Sequence, residues 1–119
     1  MPDDSPAPLA VARRLQAEGR FLAAAELLLA AFRRDPASAE VAEDLGELML
    51  AAGDPGAALD FFQRARHADP VSPRALRGCL EALRLLGRRD EAARVLLVAL
   101  EGGLDEEAFG RQFAEPAAG

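Results

Sequence analysis

The stretch Gly53–Pro70, GDPGAALDFFQRARHADP, decides the fold. Gly53 is a turn residue, and Asp54-Pro55 is a helix start, with Asp as N-cap and Pro in the first turn. Ala58, Phe62 and Ala65 follow at helical spacing, and Asp69-Pro70 stops the helix. Shifted by 34 residues in either direction, most of the pattern returns. Gly19, Gly53 and Gly87 are 34 apart, as are Ala24, Ala58 and Ala92. Leu28, Phe62 and Leu96 keep the same step, as do Ala31, Ala65 and Ala99, and Pro36 with Pro70. A fixed period in five registers implies a repeat architecture, and 34 residues hold two helices and their turns.

The rest of the chain reads outward from this register. Apolar positions from Ala7 to Ala17 fit a first helix started by Ser5-Pro6 and ended at Gly19. Phe21–Arg33 is a second helix and Ser38 caps a third, to about Ala51. The fourth runs from Pro55 to about His67. Ser72-Pro73 starts a fifth, to about Leu86, and Arg89–Glu101 forms the sixth. Residues 105–114 read as a short seventh helix, with Leu104, Ala108, Phe109 and Phe113 roughly one turn apart. Residues 1–6 and 115–119 read as flexible tails around a single domain spanning 7–114. Its units are about 5–38, 39–72 and 73–104, followed by the end helix.

Composition agrees with an all-α fold. The chain has 119 residues, 50% of them hydrophobic and 5% aromatic, all of the latter Phe. Ala and Leu dominate, Ile, Thr and Tyr are absent, and strand formers are scarce. Net charge is −6, which argues against nucleic acid and against anionic membranes as partners. Every basic residue is Arg and Asn is absent, a bias that fits GC-rich bacterial coding. One Cys and one His exclude an intrachain disulfide, and a reducing, cytoplasmic setting fits. The first residues hold no secretory pattern, and no apolar run approaches membrane-spanning length.

These registers resemble the tetratricopeptide repeat. The middle unit is the best match: Leu45-Gly46 stands at the family's Leu-Gly pair, with Ala58, Phe62, Ala65 and Pro70 at its later positions. The resemblance implies three stacked helix–turn–helix units in a right-handed α-solenoid, closed by a C-terminal capping helix. Departures are present. Trp and Tyr do not occur, Cys79-Leu80 replaces the Leu-Gly pair, and Leu104 stands where proline would. Leu80 should hold its helix further from its neighbour than Gly46 does.

No catalytic constellation is visible. Cys79 falls on the packing side of its helix and His67 near a helix end, so both read as structural. No metal-ligand cluster, calcium loop or phosphate-binding glycine loop occurs, so neither metal nor cofactor is expected.

The resemblance points to the concave face, lined by the first helix of each unit. That face should carry Leu9, Arg13 and Gln16 from the first unit, Glu40, Glu43, Glu47 and Leu50 from the second, and Arg74, Arg77, Glu81 and Arg84 from the third. An acidic stripe thus lies beside a basic one. The two stripes could simply pair, Glu40 with Arg74 and Glu43 with Arg77, each exposed pair worth about 0–1 kcal/mol. They could equally form a groove for an extended or helical peptide carrying both signs, with Leu9 and Leu50 as apolar anchors. Some family members clamp a chaperone's C-terminal carboxylate with basic residues and Asn; here Asn is absent and Glu47 stands at that position.

A second surface lies on the outer helices. Leu22, Leu29 and Ala30 in the first unit, and Leu97 and Val98 in the third, occupy positions usually wet in the family. They pack against a terminal segment, or they join two copies as a homodimer. The expected function is therefore non-catalytic binding of a protein or peptide in the groove. The alternatives are a secretion-type chaperone shielding a partner's apolar helix and a homo-oligomeric assembly module.

Overall fold

The structure, a computed structural model, describes residues 7–103. The expected end helix and both tails lie outside them. The described residues form six α-helices: α1 (Pro8–Ala17), α2 (Phe21–Arg34), α3 (Ala39–Ala51), α4 (Pro55–Ala68), α5 (Pro73–Leu85) and α6 (Arg89–Glu101). Among them there is no strand. Residues 18–20, 52–54 and 86–88 join the two helices of a pair; residues 35–38 and 69–72 join successive pairs. Such short connections make neighbours antiparallel and stack the pairs into a solenoid.

The turn inside each pair is the same object three times. Gly19, Gly53 and Gly87 adopt φ of 78°, 82° and 73°, a left-handed conformation that side-chain-bearing residues avoid. The amide after each glycine donates back to the preceding helix: Arg20 to the Leu15 carbonyl at 2.8 Å, Asp54 to Met49 at 2.9 Å and Arg88 to Leu83 at 2.9 Å. These bonds satisfy carbonyls that the helix end leaves open.

The helix starts are capped as expected at three places. Ser38 accepts from the Val41 amide at 3.3 Å, Asp54 from Ala57 at 3.1 Å and Ser72 from Ala75 at 3.2 Å. The first helix differs. It starts with Ala7 at the N-cap and Pro8 in the first turn, rather than at Ser5-Pro6. Pro8 removes one of the open N-terminal donors, and no side chain caps the others.

The core runs along the stack. Ala12, Ala24, Leu28, Ala31, Val41, Leu45 and Leu48 join the first pair to α3. Ala58, Leu59, Phe62, Cys79, Ala82 and Leu83 join α4 to α5. Phe62 is the largest fully buried side chain. Its ring lies against Gly46, where a β-carbon would sit 2.8 Å away, and against Gly78, where no β-carbon fits. Packed against this core, the half-buried Phe32 and Phe61 rings meet edge-on at 5.7 Å, linking α2 to α4. The Arg64 guanidinium lies 5.7 Å from the Phe32 ring centre.

The closeness of each pair follows one register. Residues 12, 46 and 80 are equivalent and are Ala, Gly and Leu. α3 packs most extensively on α4, α1 less on α2, and α5 least on α6. The order is that of side-chain size, as expected when the residue at the contact sets the interaxial distance.

Candidate functional site on the first helices

The first helices α1, α3 and α5 are tied together by one carboxylate that the sequence reading missed. Asp44 is 2% exposed and lies on the stripe of Val41, Leu45 and Leu48. Arg13 of α1 donates to it twice, Nε to Oδ2 at 2.9 Å and Nη2 to Oδ1 at 3.1 Å. Arg74 of α5 donates to Asp44 Oδ1 from the other side at 2.5 Å. A buried carboxylate without partners would be costly; two guanidiniums, one from each neighbouring unit, make it a joint.

Arg74 makes two further pairs. Its Nε and Nη2 donate to the two oxygens of Glu47, each at 2.7 Å. Its Nη1 lies 3.4 Å from Glu43 Oε2. The Ser72 hydroxyl donates to Glu43 Oε1 at 3.2 Å while accepting from the Ala75 amide, so the cap of α5 is also a tether to α3. Carboxylates on both sides hold the Arg13 and Arg74 guanidiniums charged more firmly than usual. Glu43 moves the other way: burial raises its carboxyl above the ordinary value, against the pull of Arg74 and the Ser72 hydroxyl.

The expected ion-pair ladder is therefore rearranged. Glu40 pairs with Arg13, at 3.4 Å, and not with Arg74. Glu43 pairs with Arg74 and not with Arg77, and it is buried instead of lining an open face. The physical reason is the stagger of the helices. Arg74 meets α3 at residues 43, 44 and 47, a turn further along than a same-register ladder requires.

The other sequence candidates divide by exposure. Arg13, Glu40, Glu47, Arg77 and Arg84 are exposed, and Gln16 and Glu81 are half-buried. Arg84 grips Glu81 on its own helix, at 3.0 and 2.7 Å, and holds that carboxyl below its ordinary range. Leu9 and Leu50 are half-buried and pack on the core, so they offer edges and not whole side chains. On the outer helices Leu22, Leu97 and Val98 are exposed, at 75%, 56% and 60%. Leu29 instead packs on the core. Leu22 stands on α2 and Leu97 and Val98 on α6, with α4 between them in the stack, so the four do not form one patch.

Cys79 is buried, and burial pushes its thiol up to about 11 despite nearby Arg66. It is a packing residue with little nucleophilic character. His67 is exposed in the last turn of α4, where a positive charge suits the helix dipole. Among the described residues no group of His, Cys, Asp and Glu is arranged to hold a metal. Among them, too, no helix is long and apolar enough to cross a membrane.

Two family profiles, each described as tetratricopeptide repeat, match residues 9–73 and 49–110. The chain belongs to the tetratricopeptide repeat family. Solved structures share the fold at low identity. The Yersinia enterocolitica type III secretion chaperone SycD, in complex with a peptide of the translocator YopD, superposes with a TM-score of 0.76 at 21% identity, covering 88% of this chain and 80% of that one. SycD without the peptide gives 0.74 at 21% identity, covering 88% and 78%. A crystal structure of MamA gives 0.70 at 20% identity, covering 91% of this chain and 57% of that one. This chain thus spans little more than half the length of MamA. No curated protein matches the chain in sequence. Members of this repeat family act typically as protein-interaction modules, and the fold supports protein partners.

Proposed function

We propose that this tetratricopeptide repeat protein binds a segment of another protein across α1, α3 and α5, without catalysis. One observation carries this reading: Asp44, gripped by Arg13 and Arg74, joins the first helices of all three units into one face. A face fixed before binding loses little freedom on binding, which favours recognition. Exposed Arg13, Glu40, Glu47, Arg77 and Arg84 give it both signs of charge, suited to a segment with basic and acidic residues. The protein works in the cytoplasm in this reading.

The test is site-specific photo-crosslinking. A photoreactive residue at Gln16 or Glu40 should label the captured partner, and one at Arg34, on the far end of α2, should not. Labelling from Arg34 alone would remove the first-helix face as the site.

A second reading is that of a secretion-type chaperone shielding an apolar helix. It is favoured by the likeness to SycD over 88% of this chain. It predicts that the captured partner is an exported subunit and that the labelled segment is apolar. Self-association is a third reading and would use two separate patches, Leu22 on α2 and Leu97 with Val98 on α6. A monomer in light scattering at high concentration would remove it.

A further inference from the structure

Helix α6 has an inner and an outer side. Ala92 and Val95 pack on the core shared by α4 and α5. On the opposite side Arg94, Leu97, Val98 and Glu101 stand at i, i+3, i+4 and i+7, one stripe along the helix. All four are exposed, and among the described residues neither Arg94 nor Glu101 has an ion-pair partner. The fold does not require an apolar pair there. One period earlier the stripe is Asp60, Gln63, Arg64 and His67, polar throughout, with Arg64 paired to Asp60. Two periods earlier it is Glu26, Leu29, Ala30 and Arg33, and Leu29 packs on the core. Of the three second helices, α6 alone shows solvent two large apolar side chains at these positions.

We propose that this stripe joins two copies of the chain through antiparallel α6 helices about a two-fold axis. The order of its residues is positive, apolar, apolar, negative, which makes the stripe its own complement. With the axis between residues 97 and 98, Leu97 of each copy faces Val98 of the other, and Arg94 of each faces Glu101 of the other. An Arg–Glu pair then closes each end of the apolar contact. A two-fold contact requires such a self-complementary surface. A parallel pair would instead set Arg94 against Arg94 and Glu101 against Glu101. Asp90, one turn before Arg94, falls past the end of the other copy's α6 at Glu101. The contact rests on the self-association reading above and narrows it to α6, without Leu22. It is small, so the dimer is a weak one that forms at high protein concentration. The stripe faces away from the core, so both first-helix faces stay open in the dimer. Two such faces on one particle gain avidity for a partner that offers two segments.

Sedimentation equilibrium of the full chain tests the contact. Wild type should pass from monomer to dimer as concentration rises. Arg94→Glu sets like charges opposite each other at both ends of the contact, and so does Glu101→Arg; each should weaken the dimer at least about tenfold. The two changes together restore opposite charges and should return the dimer to near the wild-type constant. Leu97→Asp should abolish it, and Arg89→Glu, exposed on another side of α6, should leave it unchanged. A wild type that stays monomeric at every concentration overturns the contact and self-association with it. A dimer that survives Leu97→Asp but is lost in Leu22→Asp overturns the α6 contact alone. A combined charge variant no tighter than either single one overturns the antiparallel pairing.

Discussion

The Phe62 ring occupies the space that a β-carbon on Gly78 would need. The ring of α4 is thereby wedged between two first helices, with Gly46 of α3 on its other side. The wedge sets how closely α5 approaches α3, and so where Arg74 meets Asp44 and Glu47.

Gly78→Ala should therefore destabilise the protein, against helix propensity. Ala is the better helix former by about 1 kcal/mol. Overpacking at a rigid buried ring costs about 1–3 kcal/mol and wins. Gly56 is the control: a β-carbon there meets only Asp54 Oδ1, at 3.7 Å. Gly56→Ala should raise Tm while Gly78→Ala lowers it; the same sign for both would contradict the wedge.

Ala58 is fully buried and Ala57 half-buried on the same helix. Ala58→Leu should cost about 1–3 kcal/mol by overpacking, and Ala57→Leu much less. Thermal melts of the two variants check the 34-residue register directly; equal losses would break it.

Asp44 should matter more than any exposed carboxylate. Asp44→Ala removes charge-assisted bonds from Arg13 and Arg74 and should cost about 2–3 kcal/mol. Both guanidiniums keep some solvent contact, which holds the loss below that of a fully buried pair. Glu40, 61% exposed and with one 3.4 Å pair, should lose less than about 0.5 kcal/mol on change to Gln. Urea unfolding of both variants separates them.

The registers, turns and caps were legible in the sequence because each is a local rule: glycine for positive φ, Ser or Asp at the N-cap, small residues at helix contacts. The charge partners were not. Glu40, Glu43, Arg74 and Arg77 are readable as facing charges, but pairing depends on the stagger between α3 and α5, which Phe62 and Gly78 set. Gly78 gave no signal in the repeat, since its equivalents are Asp44 and Ala10. Asp44 did leave one: it stands three residues after Val41 and four before Leu48, on the apolar stripe. An acid there, about one period from Arg13 and Arg74, marks a buried ion pair between units.

Glu43 and Glu81 should respond to pH with opposite signs. Burial raises the Glu43 carboxyl above its ordinary 4.5, so the folded protein binds that proton more tightly than the unfolded chain. Its stabilising share is complete below 4.5 and is lost as pH rises through the raised value. Hydrogen bonds from Arg84 lower Glu81, so its share is present above 4.5 and is lost as pH falls through the lowered value. The stability of wild type relative to Glu43→Gln should therefore grow on acidification from about pH 7 to 4.5, and that relative to Glu81→Gln should shrink below about pH 4.5. Urea titrations across this range read both slopes; a shared sign would contradict the assignment.

Binding by the first-helix face is tested most directly by calorimetric titration of the crosslinked partner's segment into three full-length proteins: wild type, the double variant Arg77→Glu with Arg84→Glu, and the double variant Arg33→Glu with Arg34→Glu. Arg74 is left intact because it holds the Asp44 joint. The α5 reversal should weaken binding at least about tenfold, or about 1.4 kcal/mol, with the helical content of the free protein retained at the titration temperature. The α2 reversal should leave affinity as it is. Undiminished affinity in the α5 variant, with loss in the α2 variant, would contradict the account.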